Sequence, residues 1–186
     1  MLVLLVGFCV QGLSPNASAQ LPATPMLLVA QAQLKDPLFR KSVVLVTRHG
    51  RSVPIGIILN HPLDVAAPDT GGDLGKPAFL GGPVSPQSVV YLFQAEGGVA
   101  SNLLALGDDL YLGFGQSLLD DLSHRQAAPT RLRVFNGFSA WAPGQLENEI
   151  ARVDWLLVPF DADILFRADV SNMWQDLVST VDDRAI

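Results

Sequence analysis

The stretch that most constrains the fold of this chain is residues 133–150, where a strand-like pattern changes into a helix-like one. Its first half is rich in strand-forming residues and contains Asn136 and Gly137, a pair that tolerates positive φ angles. Trp141 follows, and Pro143 then breaks the extended chain. Beyond the break, apolar residues recur at helical spacing: Leu146, Ile150 and Val153. The pattern predicts a strand–turn–helix unit that closes a hydrophobic core around Trp141.

The rest of the chain supplies strands in runs, with few helices between them. Apolar or β-branched runs of strand length occupy residues 26–30, 42–47, 55–59, 89–93, 110–114 and 155–159. The second and third runs are joined by a short turn and predict a hairpin, whereas residues 65–77 predict a long polar loop. Short helices are predicted near residues 116–124 and 161–166 and from Ser171 onward. Because regular strand–helix alternation is missing, we expect an α+β fold with a mixed sheet.

Length and charge bound the domain organisation and the classes of partner. A chain of 186 residues, nearly half of them hydrophobic, is long enough for one sizeable core, and we expect a single domain over residues 26–182. The formal net charge is −6, and the sequence has no run of Lys and Arg. Nucleic-acid binding needs a basic surface, so this composition disfavours a nucleic acid partner.

The first residues have the pattern of an export signal. Residues 2–10 form an apolar run too short to span a bilayer, and Ala17 and Ala19 supply a small-residue cleavage pattern. We therefore expect residues 1–19 to be a signal peptide cleaved after Ala19, followed by a connector at residues 20–25. The protein would then be exported to the periplasm. The alternative is a cytoplasmic protein, because no Lys or Arg precedes the apolar run. The mature chain would lack a transmembrane segment and would lack Cys9, the only cysteine, which excludes disulfides and thiol catalysis.

Six residues are candidates for a small polar pocket: Asn60, Gly81, Gly82, Arg133, Gln145 and Glu147. The two glycines offer backbone N–H groups that can cradle an anion, but the Lys and Ser or Thr of a phosphate-binding loop are missing, which favours a structural turn. Arg133 lies in an apolar strand and needs a partner if it is buried, so we expect it to pair with Glu147 or Glu149, as a structural salt bridge or as an anion clamp. The three histidines share no metal-ligand spacing, and we expect neither a metal nor a cofactor.

Several segments resemble the YqgE/AlgH family of bacterial proteins. Residues 133–150 and Trp155 match its pattern R-x-F-x-G-Y-x-G-W-x-x-G-Q-L-E-x-E-I followed by Trp, except at Phe138 and Ala140. Earlier matches follow in the family's order: an opening strand at residues 26–30, D-x-x-F-x-x-S-V from Asp36, G-x-x-x-N-x-P from Gly56, and G-G-P-V from Gly81. The resemblance implies a single compact α+β domain with a coiled, barrel-like mixed β-sheet and peripheral short helices. Many relatives have a His where this chain has Phe93, which argues against a His-based chemistry here.

Three functional hypotheses are open at this point. The first is a non-enzymatic regulatory or small-ligand-binding protein, which binds a small molecule or a protein partner through the polar pocket. The second is a hydrolase or transferase that uses the same carboxylates and amides with a borrowed metal. The third, implied by the family's AlgH name, is a transcriptional regulator. The acidic charge opposes the third, and the lack of a nucleophile–base pattern opposes the second, so we expect the first, as a monomer.

Overall fold

The computed structural model describes residues 24–48, 53–66, 77–96, 103–107, 109–115, 117–118 and 129–182. The expected signal peptide, residues 1–19, and residues 20–23 of the connector lie outside these ranges. Within them the chain forms ten strands and three helices: β1 (Met26–Ala30), β2 (Val43–Thr47), β3 (Ile55–Ile58), β4 (Pro62–Ala66), β5 (Pro77–Leu80), β6 (Val84–Gln94), β7 (Leu104–Gly107), β8 (Leu110–Phe114), β9 (Arg131–Ala140), α1 (Gln145–Ala151), β10 (Trp155–Val158), α2 (Ala162–Leu165) and α3 (Met173–Asp182).

The strands form one curled sheet, a half-barrel, in the order β10-β1-β2-β3-β9-β6-β8-β7. The strand β5 joins it beside β9, and β4 pairs with β5. The β5–β9 pair is parallel, whereas the other pairs are antiparallel. The sheet is therefore mixed, and the expected α+β fold with a barrel-like mixed sheet and short helices is confirmed. None of the helices in the described ranges has the length and apolarity needed to cross a bilayer.

Apolar side chains cover both faces of the central strands. Alternate residues of β1, β2 and β3 point to opposite faces, as the pleat requires, and both sets are buried. One set packs with β6, β9 and α3 into the first core, which includes Leu27, Val29, Leu45, Ile57, Phe135 and Met173. The other set packs with α1 into the second core, which includes Leu28, Val44, Ile58, Trp141, Leu146 and Trp155. The continuous apolar runs of the sequence are strands buried on both faces.

The strand–turn–helix unit forms as the sequence predicts, except at its end. Trp141 follows β9, is only 4% exposed, and lies in the second core beneath α1. The helix ends at Ala151, however, and Val153 is 52% exposed with a φ of 60°. The prediction that Val153 continues the buried stripe is wrong, because the N–H groups of Val153 and Asp154 turn back to the carbonyls of Ile150 and Glu149. That pair of bonds is the Schellman closure of a helix C-terminus.

Candidate functional site

Arg133 is a buried cation held by backbone carbonyls. It lies on β9 and is 8% exposed. Its Nη1 donates to the carbonyl of Leu165, at 2.9 Å, and its Nη2 donates to the carbonyl of Leu59, at 2.8 Å. The guanidinium carbon lies 3.9 Å from the ring centroid of Phe79 and 5.6 Å from that of Phe135. Arg133 therefore joins the end of β3 to the C-terminus of α2 across the first core.

Burial lowers the pKa of Arg133 to about 10, from its ordinary value of 12.5, by desolvation of the charged form. That pKa is still well above neutral, so the guanidinium keeps its charge. No ion pair joins Arg133 to a carboxylate among the residues that the structure describes. The predicted salt bridge from Arg133 to Glu147 or Glu149 is wrong. Among the described residues, carbonyl dipoles and ring faces are what stabilise this buried cation.

The predicted pair fails because β9 changes face in its middle. Phe135 and Phe138 both pack in the first core, although strict alternation would place residues three apart on opposite faces. Gly137 lies between them with a φ of 69°, and the register of β9 with β6 shifts at the same place. After this irregularity Trp141 enters the second core. The helix that follows therefore lies on the face of the sheet opposite to Arg133.

On that opposite face, Glu147 has a different partner. Its Oε1 accepts a hydrogen bond from Nη2 of Arg48, at 2.5 Å, and this ion pair joins the end of β2 to α1. Arg48 Nε and Glu147 Oε2 are buried and have no partner among the described residues. In a bidentate arginine–carboxylate pair, Nε and Nη2 donate to the two carboxylate oxygens. Arg48 and Glu147 make the bond from Nη2 but not the bond from Nε to Oε2, so the pair has one of the two bonds. Sequence reasoning missed Arg48, because nothing in the sequence links positions 99 residues apart.

Glu149 connects the two tryptophans of the second core. Its Oε2 accepts hydrogen bonds from the indole Nε1 of Trp141, at 3.0 Å, and of Trp155, at 2.9 Å. Its Oε1 accepts from Nε2 of Gln145, at 2.9 Å, while Oε1 of Gln145 accepts from the N–H of Ala142. Four residues that match the family pattern, Trp141, Gln145, Glu149 and Trp155, are therefore one hydrogen-bonded cluster. Sequence reasoning left Glu149 out of the candidate pocket, although its spacing from both tryptophans was visible.

The remaining candidates make structural contacts. The N–H of Gly81 donates to the carbonyl of Asn136, at 2.8 Å, and a Cβ on Gly81 would overlap the carbonyl oxygen of Gly137. A Cβ on Gly82 would overlap Phe138. The side chain of Asn60 accepts from the N–H of Val43 and donates to the carbonyl of Lys41, both at 2.8 Å. Close backbone approach explains the two glycines, and these contacts favour the structural-turn interpretation of Gly81 and Gly82.

The six candidates thus do not line one pocket. Gln145 and Glu147 belong to α1 on the second core, and Arg133 lies in the first core. Whether any of them binds a ligand stays a prediction. In the described parts of the chain, no three His, Cys, Asp or Glu side chains are grouped so that they could hold a metal ion.

Arg131 adds a second cation next to Arg133 on the same face of β9. Its Nη2 lies 2.8 Å from Oδ1 of Asp163, and its guanidinium lies 5.1 Å from the ring centroid of Phe166. The side chain of Arg131 is 37% exposed, whereas Arg133 is buried and Phe135 is fully buried. The face therefore runs from solvent inward past two guanidinium groups, and the outer one pairs with the exposed carboxylate of Asp163.

Comparisons with known proteins agree with this fold. The profile of AlgH-like proteins matches residues 27–185. A UPF0301 protein of Coxiella burnetii is 31% identical over 167 residues, which cover 83% of this chain and 86% of that protein. The UPF0301 protein YqgE of Escherichia coli is 30% identical over 168 residues, covering 83% of this chain and 89% of that protein.

Two solved structures have the same fold. A crystal structure of a Corynebacterium diphtheriae protein superposes with a TM-score of 0.70 at 27% identity, covering 87% of this chain and 88% of that one. The solution structure of the AlgH protein from Pseudomonas aeruginosa superposes with a TM-score of 0.66 at 22% identity, covering 92% of each chain. The second similarity, at this level of identity, concerns the fold alone.

Proposed function

Because this chain belongs to the AlgH-like family, and Arg133 is buried within the fold of that family, we propose that the protein is a non-enzymatic binding protein whose ligand is a small anion held by Arg133. The observation that carries the proposal is the buried guanidinium without a carboxylate partner in the described part of the chain. An anion at this position would offset the desolvation that lowers the pKa of Arg133.

The hydrogen bonds of Arg133 leave donors for such a ligand. A guanidinium has five N–H donors, and two of those of Arg133 go to the carbonyls of Leu165 and Leu59. The other three, including the one on Nε, have no acceptor among the described residues. Arg131 stands nearer to the solvent on the same face, so an anion approaching Arg133 would pass a second guanidinium, whose charge is partly offset by the carboxylate of Asp163.

The groups around Arg133 suit binding better than catalysis. Its contacts are two backbone carbonyls and the rings of Phe79 and Phe135, and none of these transfers a proton near neutral pH. A rigid, planar guanidinium flanked by rings recognises carboxylate or phosphate oxygens by geometry. We therefore expect a carboxylate or phosphate group on the ligand, and a regulatory or carrier role for the complex.

The test is the effect of anions on thermal stability. A ligand that binds only the folded state raises Tm in proportion to the logarithm of its concentration above Kd. We expect inorganic phosphate or acetate to raise the Tm of the wild-type protein beyond a chloride control of equal ionic strength. Arg133→Lys keeps the positive charge but lacks the paired N–H donors of the guanidinium, so this variant should lose most of the anion-dependent increase in Tm. Arg167→Gln is the matched control, since Arg167 pairs with Asp176 on the surface, and it should keep the rise.

A wild-type protein whose Tm follows ionic strength alone, with no anion-specific rise, would contradict the proposal. That outcome does not depend on whether the Arg133 variant folds. The hydrolase or transferase alternative predicts instead that a divalent metal raises Tm through Glu147, and Glu147→Gln would remove that effect. The regulator alternative predicts binding to duplex DNA.

A further inference from the structure

The strand β10 ends the sheet with a row of outward backbone groups. The N–H of Ala30 donates to Ser42 on the β2 side, so Ala30 and its cross-strand neighbour Trp155 form a pair without mutual hydrogen bonds. The N–H of Gln31 accordingly donates to the carbonyl of Asp154. Hydrogen-bonded and non-hydrogen-bonded pairs alternate along an antiparallel ladder, so the N–H and C=O of Leu156 bond to Val29 of β1. The N–H and C=O of Trp155 and of Leu157 point the other way, out from the edge of the sheet. They have no backbone partner among the described residues.

The two ends of the main strand order, β10 and β7, are built differently. The strand β7 at the other edge has a register shift between Ala105 and Gly107, and Gly107 has a φ of 103°. Such a bulge twists an edge strand and prevents it from pairing with another chain. The strand β10 pairs with β1 in regular register and has the sequence WLLV, without a charge, a Gly or a Pro. Proteins commonly protect exposed edges with such residues, and β10 has none of these protections.

We propose that β10 is an interface on which a second copy of this chain pairs antiparallel, about a two-fold axis through Leu156. The outward groups are self-complementary in that arrangement. Trp155 of one copy lies opposite Leu157 of the other, so each outward N–H meets an outward carbonyl. The partly exposed side chains of Leu156 meet at the axis, where a pair without mutual hydrogen bonds brings side chains closest.

The proposed contact is short, and this sets its strength. The strand has four residues, which places the interface in the small, transient class. The protein is then a monomer when dilute, as expected from the sequence, and a dimer at high concentration. This dimer does not involve Arg133, so it stands or falls separately from anion binding.

Sedimentation equilibrium tests the proposal over protein concentrations from about 10 μM to about 1 mM, a range that covers weak association. We expect the weight-average mass of the wild type to rise toward that of the dimer. Leu157→Pro removes one outward N–H and leaves the bonds of Leu156 to β1 in place, so this variant should stay monomeric. Leu157→Ala is the matched control: it loses a similar amount of side-chain packing, keeps the N–H, and should dimerise like the wild type.

Amide hydrogen exchange on the wild-type protein is a second test of dimer formation. It does not depend on whether Leu157→Pro folds. The amides of Trp155 and Leu157 should exchange more slowly as the protein concentration rises, because pairing covers them. Amides of the bulged edge strand β7 should show no such change. A monomer mass throughout the range, with exchange at Trp155 and Leu157 independent of concentration, would overturn the proposal.

Discussion

Val153 has a backbone conformation that suits glycine. Its φ of 60° lies in the left-handed region, where a β-branched side chain is strained. It occupies the position after the helix cap, where the Schellman closure requires that conformation and glycine is the usual residue. The side chain is half exposed, so its burial contributes little free energy to offset the backbone strain.

Val153→Gly should therefore stabilise the protein by about 1 kcal/mol, because glycine adopts positive φ without the Cβ clash. Val153→Ala keeps a Cβ and should differ little from the parent. Urea denaturation of the three proteins measures the difference through the transition midpoints. A Val153→Gly variant less stable than the parent would show that the exposed side chain contributes more than the strain costs.

At the scale of elements, α1 is attached to the sheet by the hydrogen bonds of Glu149, which lie within the apolar second core. Trp141 and Trp155 are each 4% exposed, and both donate to the same carboxylate oxygen of Glu149. Phe39 packs beside both indoles, with ring centroids 6.4 Å and 5.7 Å away. These residues, which carry part of the family resemblance, attach α1 to the sheet. We therefore expect their substitution to lower the free energy of unfolding.

Trp141→Ala should destabilise the protein by about 3–5 kcal/mol, the cost of deleting a large buried aromatic side chain. Trp141→Phe keeps most of the packing and loses the hydrogen bond to Glu149, which should cost about 1–2 kcal/mol. Chemical denaturation gives both values. If the midpoint of Trp141→Ala equals that of the parent, the closing role of this unit is refuted.

Elements with strong local patterns were predictable from the sequence, and elements that depend on distant pairing were not. The hairpin of β2 and β3, and the strand β8, are uninterrupted apolar runs between turn residues, and they form where the sequence predicts them. The strand β4 begins at Pro62 and contains Asp64, and the sequence reads as the start of a loop there. It is a strand because β5 pairs with it, a contact that no local pattern reveals.

At the scale of the whole molecule, the main error concerned which face each candidate residue occupies. The positive φ of Gly137 lets the side chains of β9 switch to the opposite face of the sheet. Assigning faces by strict alternation of side chains assumes a regular strand, and the sequence did not indicate this irregularity. The acceptors of Arg133 are carbonyls from Leu59 and Leu165, and any residue type could supply them. The burial of Arg133 could be predicted from its apolar neighbours, but its partners could not.

The net charge of −6 gives a further prediction at this scale. Generic duplex DNA at physiological salt should show no saturable binding, because the surface has too few cations to displace counterions. Fluorescence anisotropy with a labelled random duplex measures this, with unlabelled duplex as competitor. Sub-micromolar binding that weakens as salt is added would restore the regulator hypothesis.

The central claim is that Arg133 holds an anion, and NMR of the arginine side chains tests it most directly. The Nε–H of Arg133 donates no hydrogen bond among the described residues, so its resonance should shift saturably as inorganic phosphate or acetate is added. The Nε–H of Arg167, which pairs with Asp176 at the surface, serves as the internal control and should follow ionic strength only. An Arg133 resonance that stays in place, or moves only in step with that of Arg167, would contradict the claim.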